Sequence, residues 1–220
     1  MAGVTFDIRG EVCVITGGGS GIGRALCNAC ASAGASAVVA VDFDLASAEE
    51  TIARLPAPSF GQQFKAMAIY ADCGKEQDII RAVEQVEADV GPIGSFMANA
   101  GIAGGPPGIG VTDEQWNLMQ GVNVMQHVYM GRCVIPRMIA RGGGSIVITA
   151  SAAGLLTQVG SFTYAVTKAA AVACAEWLSV THGADGIAVS CLCPQAVATN
   201  LGKTSAKLRG QTQHFPMGLS

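Results

Sequence analysis

Charge is what this sequence has least of. Of its 220 residues, 13% are Asp, Glu, Lys or Arg, about half the ~25% typical of soluble domains. A chain that is also 50% hydrophobic is excluded from the disordered class and must bury much of itself. Positive charge is not in excess either: 13 Lys and Arg against 16 Asp and Glu leave a net charge of −3, without the basic stripe that draws a protein to nucleic acid. Long apolar runs are also missing. Stretches such as Ala37–Val41 and Ala169–Ala175 fall far short of the roughly 18 residues that cross a bilayer, and the N-terminus has no basic-then-apolar leader. A soluble cytoplasmic protein with no membrane or nucleic-acid partner is expected.

Metal-ligand spacing is absent as well. The eight cysteines include one Cys-x-x-Cys, Cys27 to Cys30, inside an apparent helix, and Cys191 and Cys193 flank Leu192 in an apparent strand. No second such pair and no Cys/His pair has zinc spacing, so the cysteines read as small buried thiols and no metal is expected. What the chain does have is glycine, 29 residues, which serves turns and close backbone approach. The length fits one domain, residues 1–220.

Short apolar runs alternate with amphipathic ones. Strands are expected at Val12–Thr16, Ala37–Val41, Ala66–Tyr70, Ser95–Ala98, Ser145–Ala150 and Ile187–Cys193. Helices are expected at Ile22–Ala33, Ala46–Leu55, Lys75–Val90, from the capping box Thr112-x-x-Gln115 toward Ile139, and at Phe162–Thr181. The third of these places Ile79, Ile80, Val83, Val86 and Val90 on one face. Continuous apolar strands alternating with helices indicate a parallel sheet covered on both faces, a doubly wound α/β fold.

Thr16-Gly17-Gly18-Gly19-Ser20-Gly21-Ile22-Gly23 falls where the first strand meets the first helix. Backbone amides and the helix dipole can hold a pyrophosphate there. Gly17 allows a sharp exit from the strand, Gly21 lets the backbone approach phosphates, and Gly23 lets helix and sheet pack closely. Asp42 ends the second strand 19 residues beyond Gly23, close to the ~20 at which an acid meets the adenosine ribose hydroxyls. Its carboxylate repels a 2′-phosphate, and no Arg or Lys lies within Gly17–Gly23, so NAD is favoured over NADP.

Tyr164 and Lys168 are four apart in a predicted helix and share a face. A cation beside a phenol lowers its pKa toward the working range of a general base. Ser151 directly follows the fifth strand at its carboxyl end, where open α/β sheets bind ligands.

With these motifs in order, the chain resembles the short-chain dehydrogenase/reductase family over about residues 8–200. The matching features are the glycine turn Thr16–Gly23, Asn99-Ala100-Gly101 after the fourth strand, Asn123 in the next helix, and Ser151 thirteen residues before Tyr164-x-x-x-Lys168. The resemblance implies a Rossmann-like sheet and hydride transfer between nicotinamide and a small or medium secondary alcohol or ketone. It implies Tyr164 as general acid/base, Lys168 lowering its pKa and holding the nicotinamide ribose, Ser151 polarising the carbonyl, and Asn123 supporting a water relay. The cofactor set it implies is Gly17, Ser20, Gly21, Ile22, Gly23, Asp42, Phe43, Asp72, Cys73, Asn99, Ala100, Gly101, Tyr164, Lys168, Pro194, Val197 and Thr199. Within it, Asp72 and Cys73 lie near the adenine, and Pro194, Val197 and Thr199 beside the carboxamide. A homodimer or homotetramer through the helices of Asn123 and Tyr164 is also implied.

Three departures accompany the match. The usual glycine after Pro194 is Gln195, the first asparagine of the usual Asn-Asn-Ala-Gly is Ala98, and the sequence ends 26 residues after Pro194. The first is expected to restrict the backbone beside the nicotinamide. The last suggests a domain that lacks the family's final strand and part of its substrate cover, with the sixth strand left as an apolar edge and stability weakened or recovered by oligomer contact. A catalytically weak or inactive NAD-binding short isoform is therefore the alternative to an active enzyme. An epimerase or dehydratase of the extended relatives fits less well, because those usually carry Thr-Gly-x2-Gly-x2-Gly and a larger C-terminal region.

Overall fold

The computed structural model describes residues 6–56, 64–104, 108–199 and 201. Its first strand, β1 (Val12–Thr16), is built of β-branched residues and cysteine, and all five residues are buried. Burial on both faces is why the strand reads as an unbroken apolar run rather than an alternation. The two faces serve different cores. Cys13 and Ile15 join one, with Val38, Ala40 and Met97, while Val12 and Val14 join the other, with Val39, Phe96, Ile146 and Ile148, as the two-residue period of a strand requires.

The chain runs on through α1 (Gly21–Ser32), β2 (Ala37–Asp42), α2 (Leu45–Ala53), β3 (Lys65–Tyr70), α3 (Glu76–Asp89) and β4 (Ile93–Ala98). It then forms α4 (Asp113–Gln120), a π turn at Gly121–Met125, α5 (Gln126–Ala140), β5 (Gly144–Thr149), α6 (Ala153–Leu156), α7 (Phe162–His182), a 3₁₀ turn and β6 (Ile187–Leu192). The six strands are parallel, in the order β3-β2-β1-β4-β5-β6. Residues of α1 line the first core through Cys27, Cys30 and Ala31. Residues of α3, α5 and α7 line the second through Ile79, Val83, Met130, Val134 and Ala171. Each fully buried Ile or Val contributes about 1.5–3 kcal/mol through removal of apolar surface from water.

The strand order reverses between β1 and β4, so the loops leaving their carboxyl ends diverge and open a crevice, the position at which doubly wound sheets take ligands. Ser151, Asn99 and the glycine turn all leave strands at this edge.

Two local features differ from the sequence expectation. The helix expected from Thr112 toward Ile139 begins with the anticipated capping box but is broken by the π turn around Asn123. The short helix α6 falls where only loop is expected. The strand β6 has β5 as its one neighbour among the described residues, and its last three residues are exposed. The expectation of a missing final strand concerns residues 202–220, which lie outside the described ones, as do residues 105–107 of the apolar loop after β4.

Candidate active site

The first turn is shaped by its glycines in more ways than the sequence suggests. Gly17 has φ +66° and Gly21 φ +50°, conformations that side chains disfavour. A Cβ on Gly23 would lie 1.9 Å from the Gly17 carbonyl oxygen and 2.8 Å from Asn99 Nδ2. Its close packing is therefore against the turn itself and the end of β4, rather than simply helix against sheet. A Cβ on Gly18 would meet Ala40 at 2.9 Å, and one on Gly19 would meet Asp42 Oδ2 and Ser47, also at 2.9 Å. Ser20 sits at the N-cap of α1, and its side chain caps no helix amide, so the first amides of α1 are left without a side-chain partner at the positive end of the helix dipole.

Both carboxylate oxygens of Asp42 are in use. Oδ2 accepts from the Gly19 amide at 2.9 Å and Oδ1 from the Asp44 amide at 2.9 Å. Asp42 thus ties the glycine turn to the end of β2 and sets a negative charge at the turn's outer side. Arg24, one residue beyond the turn, donates to the Gly19 carbonyl at 2.6 Å, to Glu50 at 2.8 Å and to Thr51 at 2.9 Å. Its charge is held toward α2. Phe43 is half exposed against the Tyr70 ring, with centroids 5.6 Å apart. Asp72 closes a turn by accepting from Gly74 at 3.0 Å, and its own amide donates to Asp78 at 3.0 Å. Cys73 beside it is buried, with its thiol pushed up to about 12 by that burial.

The ends of β1 and β4 are locked together by Thr16. Its hydroxyl accepts from the amides of Asn99 at 2.9 Å and Ala100 at 3.0 Å, while Asn99 Nδ2 donates to the Thr16 carbonyl at 3.0 Å. Buried Gln126 completes the lock by facing the Thr16 hydroxyl and donating to the Ala100 and Val122 carbonyls.

Asn123 is fully buried in the π turn. Its side chain accepts from Ile102 N at 2.8 Å, donates to Ile102 O at 2.9 Å and donates to Thr167 Oγ1 at 3.1 Å. The loop after β4 is thereby pinned to α7. A Cβ on Gly101 would lie 3.3 Å from Lys168 Nζ and 3.5 Å from Asn123 Oδ1, so the strand-end backbone passes directly over the lysine.

On α7, Lys168 stands one turn after Tyr164, with Nζ 5.7 Å from the centre of the Tyr164 ring. The ammonium donates to the Thr149 carbonyl at 2.9 Å. Burial pulls Lys168 down to about 8, with the Cys191 and Cys193 thiols acting in the opposite direction. Tyr164 is raised above its ordinary value by burial, and its hydrogen bond with Ser151 draws it back. The expectation that Lys168 depresses the phenol is not what the isolated chain displays. Desolvation is the largest influence on both groups. Ser151 is oriented by accepting from Ala153 N at 3.2 Å at the start of α6 and donating to the Pro194 carbonyl at 3.5 Å.

The structure thus gathers Ser151, Asn123, Tyr164 and Lys168 around the carboxyl ends of β4 and β5. Beyond β6, Thr199 lies over the glycine turn, 3.1 Å from a Cβ placed on Gly21, whereas Val197 is half exposed. Gln195 is not among the residues of positive φ, where Thr157 is the one described residue other than glycine, so replacing the usual glycine causes no strain there. The reading of the cysteines is corrected in part. All eight are free, but Cys174 on α7 is only partly buried, and at the open edge formed by the end of β6 Cys191 is exposed and Cys193 partly buried.

Gln126, His127 and Thr167 are missed by the sequence reading. The signal available was polar residues at core spacing in an apolar helix face, Gln126 and His127 with Met130, Val134 and Met138. Among the described residues no group of three or more metal-ligating side chains occurs, and no helix is long and apolar enough to cross a membrane.

The sequence profile of the short chain dehydrogenase family matches residues 11–209. The chain belongs to this family. It is 30% identical to epidermal retinol dehydrogenase 2 of Mus musculus, covering 89% of this chain and 63% of that protein. It is 28% identical to meso-2,3-butanediol dehydrogenase of Serratia marcescens, covering 87% and 73%. The crystal structure of a short chain dehydrogenase/reductase from Burkholderia phymatum in complex with NAD superposes with a TM-score of 0.84 at 28% identity, covering 98% of this chain and 76% of that one. The chain spans about two thirds of the length of several curated relatives, 66% and 63% for two of them.

Proposed function

We propose that this short-chain dehydrogenase is an NAD-dependent oxidoreductase that transfers a hydride between nicotinamide and a small or medium secondary alcohol or its ketone. The observation that carries this reading is the convergence of the Tyr164 phenol, the Ser151 hydroxyl and the Lys168 ammonium at the carboxyl end of β5, on the same rim as the glycine cradle. Residues that would hold the cofactor fit it. Within Gly17–Gly23 the amides of Gly18 and Gly19 are held by the end of β2, the first amides of α1 carry no side-chain cap, and only Ser20 and Ile22 bear side chains, while Asp42 presents a carboxylate at the position where ribose hydroxyls bind in such folds. Preference for NAD is supported by that carboxylate together with the diversion of Arg24 to Glu50.

When bound, the nicotinamide supplies the hydride acceptor or donor. The chain's own residues handle the proton and the oxygen. Tyr164 takes the hydroxyl proton in oxidation and returns it in reduction. Ser151 Oγ, already aligned by Ala153 N, donates to the same oxygen and holds it against the phenol. Lys168 stands beside the ring with Nζ 5.7 Å from its centre, and a cation at that place favours the phenolate against the cost of burial. Asn123 fixes the Ile102 backbone and α7 in register, so the three groups stay in place.

A cleft of about 630 Å³ beside the first turn of α7 is lined by Ile109, Leu155, Leu156, Phe162 and Val166 among others, and none of the described residues lining it is charged. That lining supports an uncharged substrate. A homodimer or homotetramer is part of the same reading, supported by exposed Val166, Trp177 and Val180 along α7. The deciding experiment is fluorescence titration with NADH beside turnover of a panel of secondary alcohols and ketones. Binding with turnover that Tyr164→Phe abolishes is expected. Binding with no turnover of any panel member would favour a cofactor-binding scaffold.

A further inference from the structure

Two thiols stand side by side at the open edge of the sheet. Cys191 Sγ and Cys193 Sγ are 3.7 Å apart, because side chains two residues apart in an extended chain project from one face. Cys191 is exposed and Cys193 partly buried, and no strand lies beyond β6 among the described residues. Cys13 and Cys30 also interact, but at 0% and 1% exposure they are closed to a reagent in water. Burial and the hydrogen bond to Cys193 hold the Cys191 thiol above its ordinary value, with the Lys168 ammonium acting the other way. The pair therefore rests as two thiols, and it exchanges on the slow scale of uncatalysed disulfide chemistry.

The backbone between and after these thiols is the part of the chain that holds Ser151. Ala150 N donates to the Leu192 carbonyl at 2.8 Å and Ala152 N to the Pro194 carbonyl at 2.9 Å, while Ser151 Oγ donates to the Pro194 carbonyl at 3.5 Å. At the rise of an extended strand, about 3.3 Å per residue, Cα atoms two residues apart lie about 6.6 Å from one another. A disulfide spans about 4.4–6.8 Å between Cα atoms, and its sulfurs close to about 2.05 Å. Joining Cys191 to Cys193 is thus within reach, but it pinches the backbone at Leu192. The pinch shifts the Leu192 and Pro194 carbonyls against Ala150 and Ala152, and Ser151 lies between those two residues.

We propose that Cys191 and Cys193 form a thiol–disulfide exchange site for small disulfides, and that closing it displaces Ser151. The exposed Cys191 thiol loses its proton, and its thiolate attacks one sulfur of a small disulfide RSSR. A Cys191–SR bond forms as the S–S bond of the reagent breaks, and RS⁻ leaves. The Cys193 thiolate then attacks the Cys191 sulfur, the Cys191–Cys193 bond forms, and the second RS⁻ leaves. The two cysteine protons pass to the two leaving groups. Two cysteine thiols are thereby oxidised by two electrons, and one RSSR is reduced to two RSH. An excess of small thiol drives both steps backward. The effect on turnover rests on the reading of Ser151 as the group that holds the substrate oxygen, whereas the exchange itself does not.

The test incubates the reduced wild-type chain for hours with oxidised glutathione, blocks the remaining thiols with iodoacetamide, and reads intact and peptide masses beside kcat. The expected result is loss of two hydrogen atoms from the peptide that holds Cys191 and Cys193, with no glutathione attached, and a parallel loss of kcat that dithiothreitol restores. A misplacement of about 1 Å costs up to about a hundredfold in rate, so kcat should fall about tenfold or more. Cys193→Ser removes the resolving thiol, and Cys191 should then keep glutathione as a mixed disulfide. Cys174→Ser should respond as the wild type does. Wild-type protein that leaves both thiols open to iodoacetamide, or that retains glutathione on Cys191, overturns the exchange site. A closed disulfide with unchanged kcat overturns its link to Ser151. The wild-type masses decide even if a variant does not fold. Reduced wild-type protein that neither binds NADH nor turns over any alcohol or ketone would instead remove the oxidoreductase reading, while the masses would still report on the exchange site.

Discussion

Lys168 Nζ hydrogen-bonds the Thr149 carbonyl at 2.9 Å while standing 5.7 Å from the centre of the Tyr164 ring. The last residue of β5 thus anchors the cation that α7 carries under its own tyrosine. This arrangement buries an ammonium, and burial brings its pKa from 10.5 to about 8. The unfolded chain keeps that proton up to the ordinary value, so between about pH 8 and 10.5 the unfolded state binds more protons than the folded one and stability rises with pH. The buried thiols act oppositely. Cys27 and Cys73 are raised to about 12, and they lose stability as the unfolded thiols ionise. The lysine contribution is therefore read as a difference. Wild type minus Lys168→Met is expected to gain roughly 3 kcal/mol across that window, at about 1.4 kcal/mol per pH unit, measured by urea unfolding at a series of pH values. A flat difference would mean the ammonium is well solvated.

Asp42 is expected to govern the choice of cofactor. Its carboxylate accepts from Gly19 and Asp44 and leaves a negative charge where a 2′-phosphate would lie. Asp42→Ala removes that repulsion together with a charge-assisted interaction of about 1.5–3 kcal/mol, so kcat/KM with NAD should drop about 10- to 100-fold. The NADP to NAD ratio should rise. Parallel assays with the two cofactors measure it, and an unchanged ratio would place the discrimination elsewhere.

Much of this was readable in the residues themselves. The inner strands appear as apolar runs because both of their faces are covered, so Val12–Thr16 and Ala37–Asp42 announce themselves without alternation, whereas the edge strands β3 and β6 are largely exposed. The pair Tyr164 and Lys168 is legible because helix geometry alone puts them on one face. The lock among Thr16, Asn99 and Gln126 is not, because its partners are 83 and 110 residues apart in sequence and only strand order brings them together. The π turn at Asn123 was equally hidden. It accompanies tertiary contacts, the Asn123 side chain bonding Ile102 and Thr167 from distant parts of the chain. The shift of Tyr164 upward was missed because spacing shows which groups are adjacent but not how much water surrounds them.

Gly23 offers a cleaner test of the cradle than the more exposed glycines. A methyl group there would fall 1.9 Å from a backbone carbonyl oxygen, and backbone cannot rotate away as a flexible side chain does. Gly23→Ala should displace the turn and weaken NADH binding by at least tenfold, or about 1.4 kcal/mol, as measured by fluorescence titration. Gly142→Ala makes a useful control, because its Cβ meets nothing within 4 Å although its φ is +92°. That variant should lose some stability to backbone strain and keep its NADH affinity. Equal binding losses in both variants would show that the effect reports general destabilisation rather than the cradle.

The outer face of α7 bears on association. Phe162, Val166, Trp177 and Val180 are exposed at positions spaced four, eleven and three apart, with Trp177 62% and Val180 86% exposed. The spacing sets them along one side of a 21-residue helix, with small Ala169 and Ala173 between them. Apolar side chains left in water at these positions gain free energy by meeting a second copy, and a symmetric contact would lay one α7 against another. Val180→Glu and Trp177→Glu alter surface only, so the fold should survive with a Tm within a few degrees of the dissociated wild type. Sedimentation velocity should then show a dimer or tetramer for the wild type and a smaller species for the double variant. Oligomers of equal size in both would move the interface to another face, and a monomeric wild type at high micromolar concentration would remove it altogether.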